Sequence, residues 1–180
     1  LHIGDYSDKT MKHIRSVIFI DKGSKCEVLE NIQSHKNNNM IFTSNVTDIH
    51  LSDGASLSYN RFISGNSKNI HINNVHAQLD KNSTFISNSL INAKGQVRNE
   101  VRTNLLGEHC ISNINVLMMG AKKSLHETLI KVKHVTKNTK SKQVIRTILD
   151  ESSRGSFQGK IRVEEGADGT LAEMSGKSLL

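Results

Sequence analysis

Nine histidines and two cysteines are the residues of this chain best able to do chemistry. Imidazole and thiolate are the usual ligands of zinc and of iron–sulfur clusters, but such sites need several donors spaced to reach one point. Here the spacing is poor. His71 and His76 lie five residues apart, which puts them on opposite faces of a regular strand unless a bulge at Asn73-Asn74 restores the register. His109 and Cys110 are adjacent and would also diverge in a strand. No CxxC, HExxH or paired CxxC spacing occurs, and two cysteines cannot hold a cluster alone. Cys26 and Cys110 each follow a turn glycine by three residues, a place expected to point into a core. Cys110 and His134 are therefore only weak metal candidates, with a structural role expected for both.

Other catalytic constellations are missing. Gly4, Gly23 and Gly95 lack the context of a phosphate-binding loop, and no Gly-x-Ser-x-Gly elbow or convincing triad is present. An enzyme that cleaves polysaccharide would need acids gathered along a groove and aromatic platforms for sugar rings. The acids are scattered and aromatic residues make up only 4% of the chain. Catalysis is not expected, and a polysaccharide-acting β-helical enzyme or adhesin is the second choice.

The elements that would position these side chains repeat along the sequence. A short β segment, a polar turn ending in Gly or Asn, a small residue and another β segment recur as Phe19–Val28, His50–Tyr59 and Gln78–Phe85. Looser copies run over Leu105–Cys110, Val116–Ala121 and Arg162–Ala167. The Gly or Asn position suits positive φ, and the small residue suits a crowded corner. The turn anchors read as Gly23, Gly54, Asn82, Gly107, Gly120 and Gly166, with irregular gaps near 25 residues. Such spacing favours a β-solenoid, in which each coil buries its apolar edge against the next, over a β-sandwich, which uses similar strands and turns. The stretch 142–149 could compete for helix, but its β-branched residues favour strand. Residues 34–39 read as a surface loop, and no boundary divides the single domain of 1–180.

Composition agrees. The 180 residues contain no Pro and no Trp, so the core must be built from Ile, Val, Leu, Met and Ala. The 18 Asn and 21 Ser suit turns and polar ladders. Two cysteines make no disulfide framework and read as free thiols in a reducing compartment. No apolar run approaches the roughly 20 residues that span a bilayer. The net charge of +7 is concentrated between Lys122 and Arg146, where eight basic residues face the single acid Glu127. A solvated lysine face, or after it an acidic protein partner, is expected there; scarce aromatics disfavour nucleic acid, and no membrane partner is expected. The chain opens on Leu1 without Met and stops at Leu179-Leu180 in mid-pattern, which reads as an internal piece of a longer polypeptide.

The most specific signal lies in the last third. His134-Val135-Thr136-Lys137-Asn138-Thr139-Lys140-Ser141 is followed by the strand from Gln143 to Leu149, then by Phe157-Gln158-Gly159-Lys160-Ile161-Arg162-Val163 and Gly166-Ala167. With Arg102–Glu108 and Asp48–Ala55, this resembles the SufB/SufD family of iron–sulfur cluster assembly proteins. The Phe157–Ile161 form, with no Cys in the closing segment, resembles the SufD branch. The resemblance implies a right-handed parallel β-helix, all-β, here without the family's terminal helical regions. It implies a non-catalytic scaffold that pairs with a SufB-like subunit and docks a SufC-like ATPase through a helical region not in this sequence. A cluster would belong to the assembled complex, and none is expected on this segment. The family's His-Gly-Ala metal-ligand candidate would fall after Leu180, so no ligand transfers to a residue here. The resemblance further implies a bacterial cytoplasm or an organelle such as the plastid stroma. Phe157, Gly159, Lys160 and Gly166 match the family motif and are read as structural. Phe157 and Ile161 should face one side of the strand, Gln158 and Lys160 the other, and Gly159 should allow close approach of the next coil.

Overall fold

A computed structural model describes residues 9–33 and 40–179. The 34–39 loop lies outside the described residues. Twelve strands follow one another: β1 (Thr10–Ile20), β2 (Lys25–Gln33), β3 (Ile41–Leu51), β4 (Ser56–Gly65), β5 (Ile70–Leu79), β6 (Thr84–Ala93), β7 (Gln96–Leu105), β8 (Ile111–Gly120), β9 (Leu125–His134), β10 (Lys140–Leu149), β11 (Arg154–Val163) and β12 (Leu171–Leu179). No helix occurs among the described residues. The ambiguous 142–149 stretch is strand β10.

Odd-numbered strands form one six-stranded sheet in the order β1-β3-β5-β7-β9-β11, and even-numbered strands form a second. Every pairing joins a strand to the next but one in sequence, and all are parallel. Each coil therefore supplies one strand to each sheet, and six coils stack into a β-solenoid. Parallel strands buried on one face need alternating side chains, and strict alternation is present: β3 and β4 bury every second residue. In-register pairing stacks like on like. Leu51, Leu79 and Leu105 form one fully buried column, and Ile63, Ile91 and Met118 another on the facing sheet. Each such side chain contributes roughly 1.5–3 kcal/mol, so the column secures neighbouring coils to one another.

The turns correct the expected anchors. After the odd strands, positive φ falls at Gly23, Gly54, Asn82, His109, Asn138 and Gly169, spaced 31, 28, 27, 29 and 31 residues apart. After β8 and β10 it falls at Lys122 and Glu151. Gly107 and Gly120 are therefore not the left-handed residues of their turns. Two turn ladders are interleaved, and glycine marks positive φ at only some of their corners. Gly166 does have positive φ, but Gly169 is the residue in line with Asn138: the Asn138 N–H donates to the Asp168 carbonyl, as Gly23 does to Asp53 and Gly54 to Lys81. At several corners a small residue follows whose hydroxyl or thiol reaches back three residues to a carbonyl, as in Thr170 to Ala167 (2.9 Å) and Ser153 to Asp150 (2.7 Å), whereas Ala55 fills the corner after Gly54 without one.

The same register moves Cys110. Cys26 aligns with Leu57, Phe85 and Ser112, inside the even sheet. Cys110 instead takes the small-residue corner directly after His109, equivalent to Ser83. The two cysteines do not occupy the same place in the repeat. The Lys122–Arg146 run is likewise no single face: Lys131 and Lys133 lie on the odd sheet, Lys140, Lys142 and Arg146 on the even sheet, and the rest in turns.

Candidate functional site

The two weak metal candidates sit at successive corners of the odd sheet, Cys110 after β7 and His134 at the end of β9, each in its own hydrogen-bond group. Cys110 is fully buried, and its Sγ lies 2.8 Å from the Gly107 carbonyl, 2.9 Å from Asp80 and 3.3 Å from Leu79. A thiol has one proton and donates to one of these at a time; the other carbonyl dipoles would repel a thiolate. Burial raises the Cys110 pKa, and the Ser83 and Gly107 hydrogen bonds only partly oppose it. The cage holds a neutral, inert thiol. Cys26 is a free thiol, only partly buried. With a maleimide probe under native conditions, Cys26 is expected to label and Cys110 to label at least roughly 100-fold more slowly, until denaturant is added. Equal labelling rates would contradict the carbonyl cage.

His134 ends β9 and points inward, in register with Leu105. Nδ1 lies 2.7 Å from the Thr139 hydroxyl and Nε2 lies 2.9 Å from the Ser141 hydroxyl, so both ring nitrogens are committed. Burial lowers its pKa, which keeps the ring neutral. Thr139 also contacts the Thr170 hydroxyl of the next corner. Among the described residues, no group of three or more His, Cys, Asp and Glu side chains is arranged to hold a metal ion. His71 and His76 do face opposite sides of a regular β5: His71 is buried on Thr43 (2.9 Å) and His76 pairs outward with Asp48 (3.3 Å).

The motif residues of β11 sit as the alternation requires. Phe157 packs against the core, Gly159 and Ile161 are half-buried on the same side, and Gln158 and Lys160 point out. Gly159 turns its Cα face into the interior of its own coil. Its neighbour is Met174 of β12, across the interior of the last coil. Gly166 has open space around it, and Ala167 beside it is buried.

Two features had no legible signal in isolation. The first is a polar lumen: Thr43, Asn45, Asn73, Asn99, Ser87, Ser89 and a fully enclosed Arg61 all point inward in coils two to four. The second is the outer face of the even sheet. Asn60, Asn88 and Asn115 form an amide ladder there, each Nδ2 donating to the Oδ1 before it at 2.8 Å, with Asn60 donating to Glu27. Beside it runs an apolar column of Phe62, Leu90 and Leu117, and between the two lies a groove of about 420 Å³. Leu29, Met119, Ile148 and Leu179 extend this apolar surface in the open.

Two parallel sheets stacked coil on coil, with a ladder of hydrogen-bonded corners, define an all-β parallel solenoid. Comparison with known proteins gives the family. The profile described as "SUF system FeS cluster assembly, SufBD core domain" matches residues 2–180, and the chain belongs to that family. It is also 26% identical over 168 residues to a protein named iron-sulfur cluster assembly protein SufD from Escherichia coli (strain K12). That match takes in 93% of this chain and 40% of the relative's length. Membership of the family, and the leaning to SufD read from Phe157–Ile161, agree with the sequence. No helix among the described residues is long and apolar enough to cross a membrane.

Proposed function

We propose that this chain is the core of a non-catalytic scaffold subunit in a SufBCD-type complex that assembles iron–sulfur clusters, working in the cytoplasm or an organelle stroma. The observation that carries the reading is the family match across residues 2–180. The scaffold pairs with a SufB-like subunit through its solenoid and, in a longer polypeptide, docks a SufC-like ATPase. The cluster is cargo of the assembled complex, and this segment contributes no ligand to it. A caged neutral thiol and a histidine with both nitrogens engaged support that reading.

The pairing surface we assign is the apolar column on the even sheet, since contiguous exposed apolar area on a soluble chain marks an interaction site. Co-expression with a SufB-like subunit and a SufC-like ATPase, read by gel filtration with light scattering, tests it. A stable pair with the SufB-like subunit, without the ATPase, is expected. Leu117→Asp, on the wall of the groove, should weaken that pair at least roughly 100-fold, because a charge is driven into a desolvated interface. Pairing that is unchanged by Leu117→Asp would remove the even sheet as the interface; no pairing by the parent chain would remove the scaffold reading.

A further inference from the structure

The groove on the outer face of the even sheet ends in charge. It runs from Leu29 on β2 to Val144 and Arg146 on β10, with a volume of about 420 Å³. In-register pairing builds each wall from one residue per coil. One wall is the amide ladder of Asn60, Asn88 and Asn115, which runs into Val144. The other is the stripe of Phe62, Leu90 and Leu117, and the next two positions of that column are Arg146 and Lys177. Three half-buried apolar side chains are followed, in one line along the stack, by two cations.

Like charges side by side on neighbouring strands destabilise a sheet unless something neutralises them. Arg146 Nη1 donates to the Ile145 carbonyl at 2.9 Å and lies 3.4 Å from the Ser175 hydroxyl, both uncharged. Neither Arg146 nor Lys177 belongs to an ion pair among the described residues. The carboxylates on this outer face are engaged elsewhere: Glu27 accepts from Asn60 at 2.9 Å, and Glu173 pairs with Lys142 at 3.3 Å.

The spacing selects what fits. Neighbouring coils lie about 4.8 Å apart, so Phe62, Leu90 and Leu117 span about 9.6 Å. Two turns of α-helix advance about 10.8 Å, a mismatch of about 1 Å that side chains absorb. Alternate residues of an extended strand advance about 6.8 Å, so a strand would be out of step by about 4 Å at the third anchor. A helix laid along the stack meets one anchor per turn and brings its next two turns to Arg146 and Lys177. No helix occurs among the described residues, so a second copy of them does not supply it.

We propose that this groove receives an amphipathic helix of a partner protein. Its apolar residues at i, i+4 and i+7 pack between the amide ladder and the Phe62 column, and acidic residues on its next two turns pair with Arg146 and Lys177. The inference rests on the reading of this face as the pairing surface and names the element that fills it.

The probe is a synthetic helical peptide with leucine at i, i+4 and i+7 and glutamate at i+11 and i+14. It is titrated against the chain by fluorescence anisotropy, beside a control peptide with lysine at the two glutamate positions. The glutamate peptide should bind at least roughly 10-fold more tightly than the control. Arg146→Glu together with Lys177→Glu should invert that preference, and the inversion itself reports a folded variant. Leu117→Asp should abolish binding of both peptides. Equal affinities for the two peptides, no binding of either, a preference that survives the double charge reversal, or binding that persists in Leu117→Asp would each overturn the helix site. Gel filtration with a SufB-like subunit separates this inference from the reading beneath it. Pairing that is lost in Leu117→Asp, with no peptide preference, keeps the pairing surface and removes the helix. A peptide preference that holds, with pairing untouched by Leu117→Asp, keeps the helix site and assigns it to another partner.

Discussion

Gly107→Ala is expected to unfold the chain or to destabilise it by about 4 kcal/mol or more, the range reached only when a buried clash has no relief. The reason lies in the stacking of corners. A Cβ at Gly107 would collide with the backbone of Lys81 and Asp80 in the coil before it. Those atoms are tied into the ladder: the Lys81 carbonyl accepts from Gly54, and Gly107 itself donates to Leu79. Neither coil can move aside without breaking bonds on both. Gly159→Ala meets a different obstacle, the ends of two side chains: the Sδ and Cε atoms of Met174, which swing away by rotamer changes, and the Phe157 ring, which must tilt aside. Its cost should stay near 1 kcal/mol, and even Gly159→Val should fold. Urea unfolding of both alanine variants checks the pair. Similar losses at the two positions would mean that the corner ladder is not what fixes coil spacing.

That contrast shows which parts of the fold were legible in the sequence. The alternation and the recurring corner announced stacked β coils, because period-two burial and positive-φ residues leave direct marks in residue types. Their phase was harder. His109, Lys122 and Glu151 adopt positive φ without being Gly or Asn, since stacked neighbours hold the corner in place and override local preference. Gly107 resembles a turn glycine in sequence but serves close approach to the preceding coil, and Gly159 turns to side-chain ends inside its own coil. Cys110 was shifted two places for the same reason. The lumen was in principle readable: Asn45, Asn73 and Asn99 recur at coil spacing in β3, β5 and β7. Only the register shows that they share a column and that Arg61 reaches it from the facing sheet.

Acidification should destabilise the chain well before its carboxylates titrate, and the polar lumen is the cause. His71 is buried against Thr43, and burial lowers its pKa from 6.5 to about 4. Burial lowers His126 in the same direction, opposed only partly by its bond to the Ala93 carbonyl, and lowers His134 as well. The sign follows from which state takes up the proton. Above pH 6.5 the ring is neutral whether folded or unfolded, and stability is flat. Below it the unfolded chain binds a proton that the folded chain refuses, so stability falls until the folded ring titrates near pH 4. For His71 alone the loss between pH 7 and pH 5 is about 2 kcal/mol. Glu100 and Glu164 act in a lower window. For Glu100, burial raises the pKa but the bonds to Arg102 and Lys131 outweigh it; for Glu164, the bond to Lys133 leads; both end below the ordinary carboxylate value. Urea midpoints at pH 7, 6 and 5 therefore isolate the histidines. His71→Asn, whose amide can take the place of Nδ1 beside Thr43, should be less stable at pH 7 because of the space it leaves. Its stability should also fall less steeply towards pH 5, by the share that His71 contributes. A variant with the parent's slope would show that the lumen admits the proton at His71 as readily as water does, and that the coil there is open rather than packed.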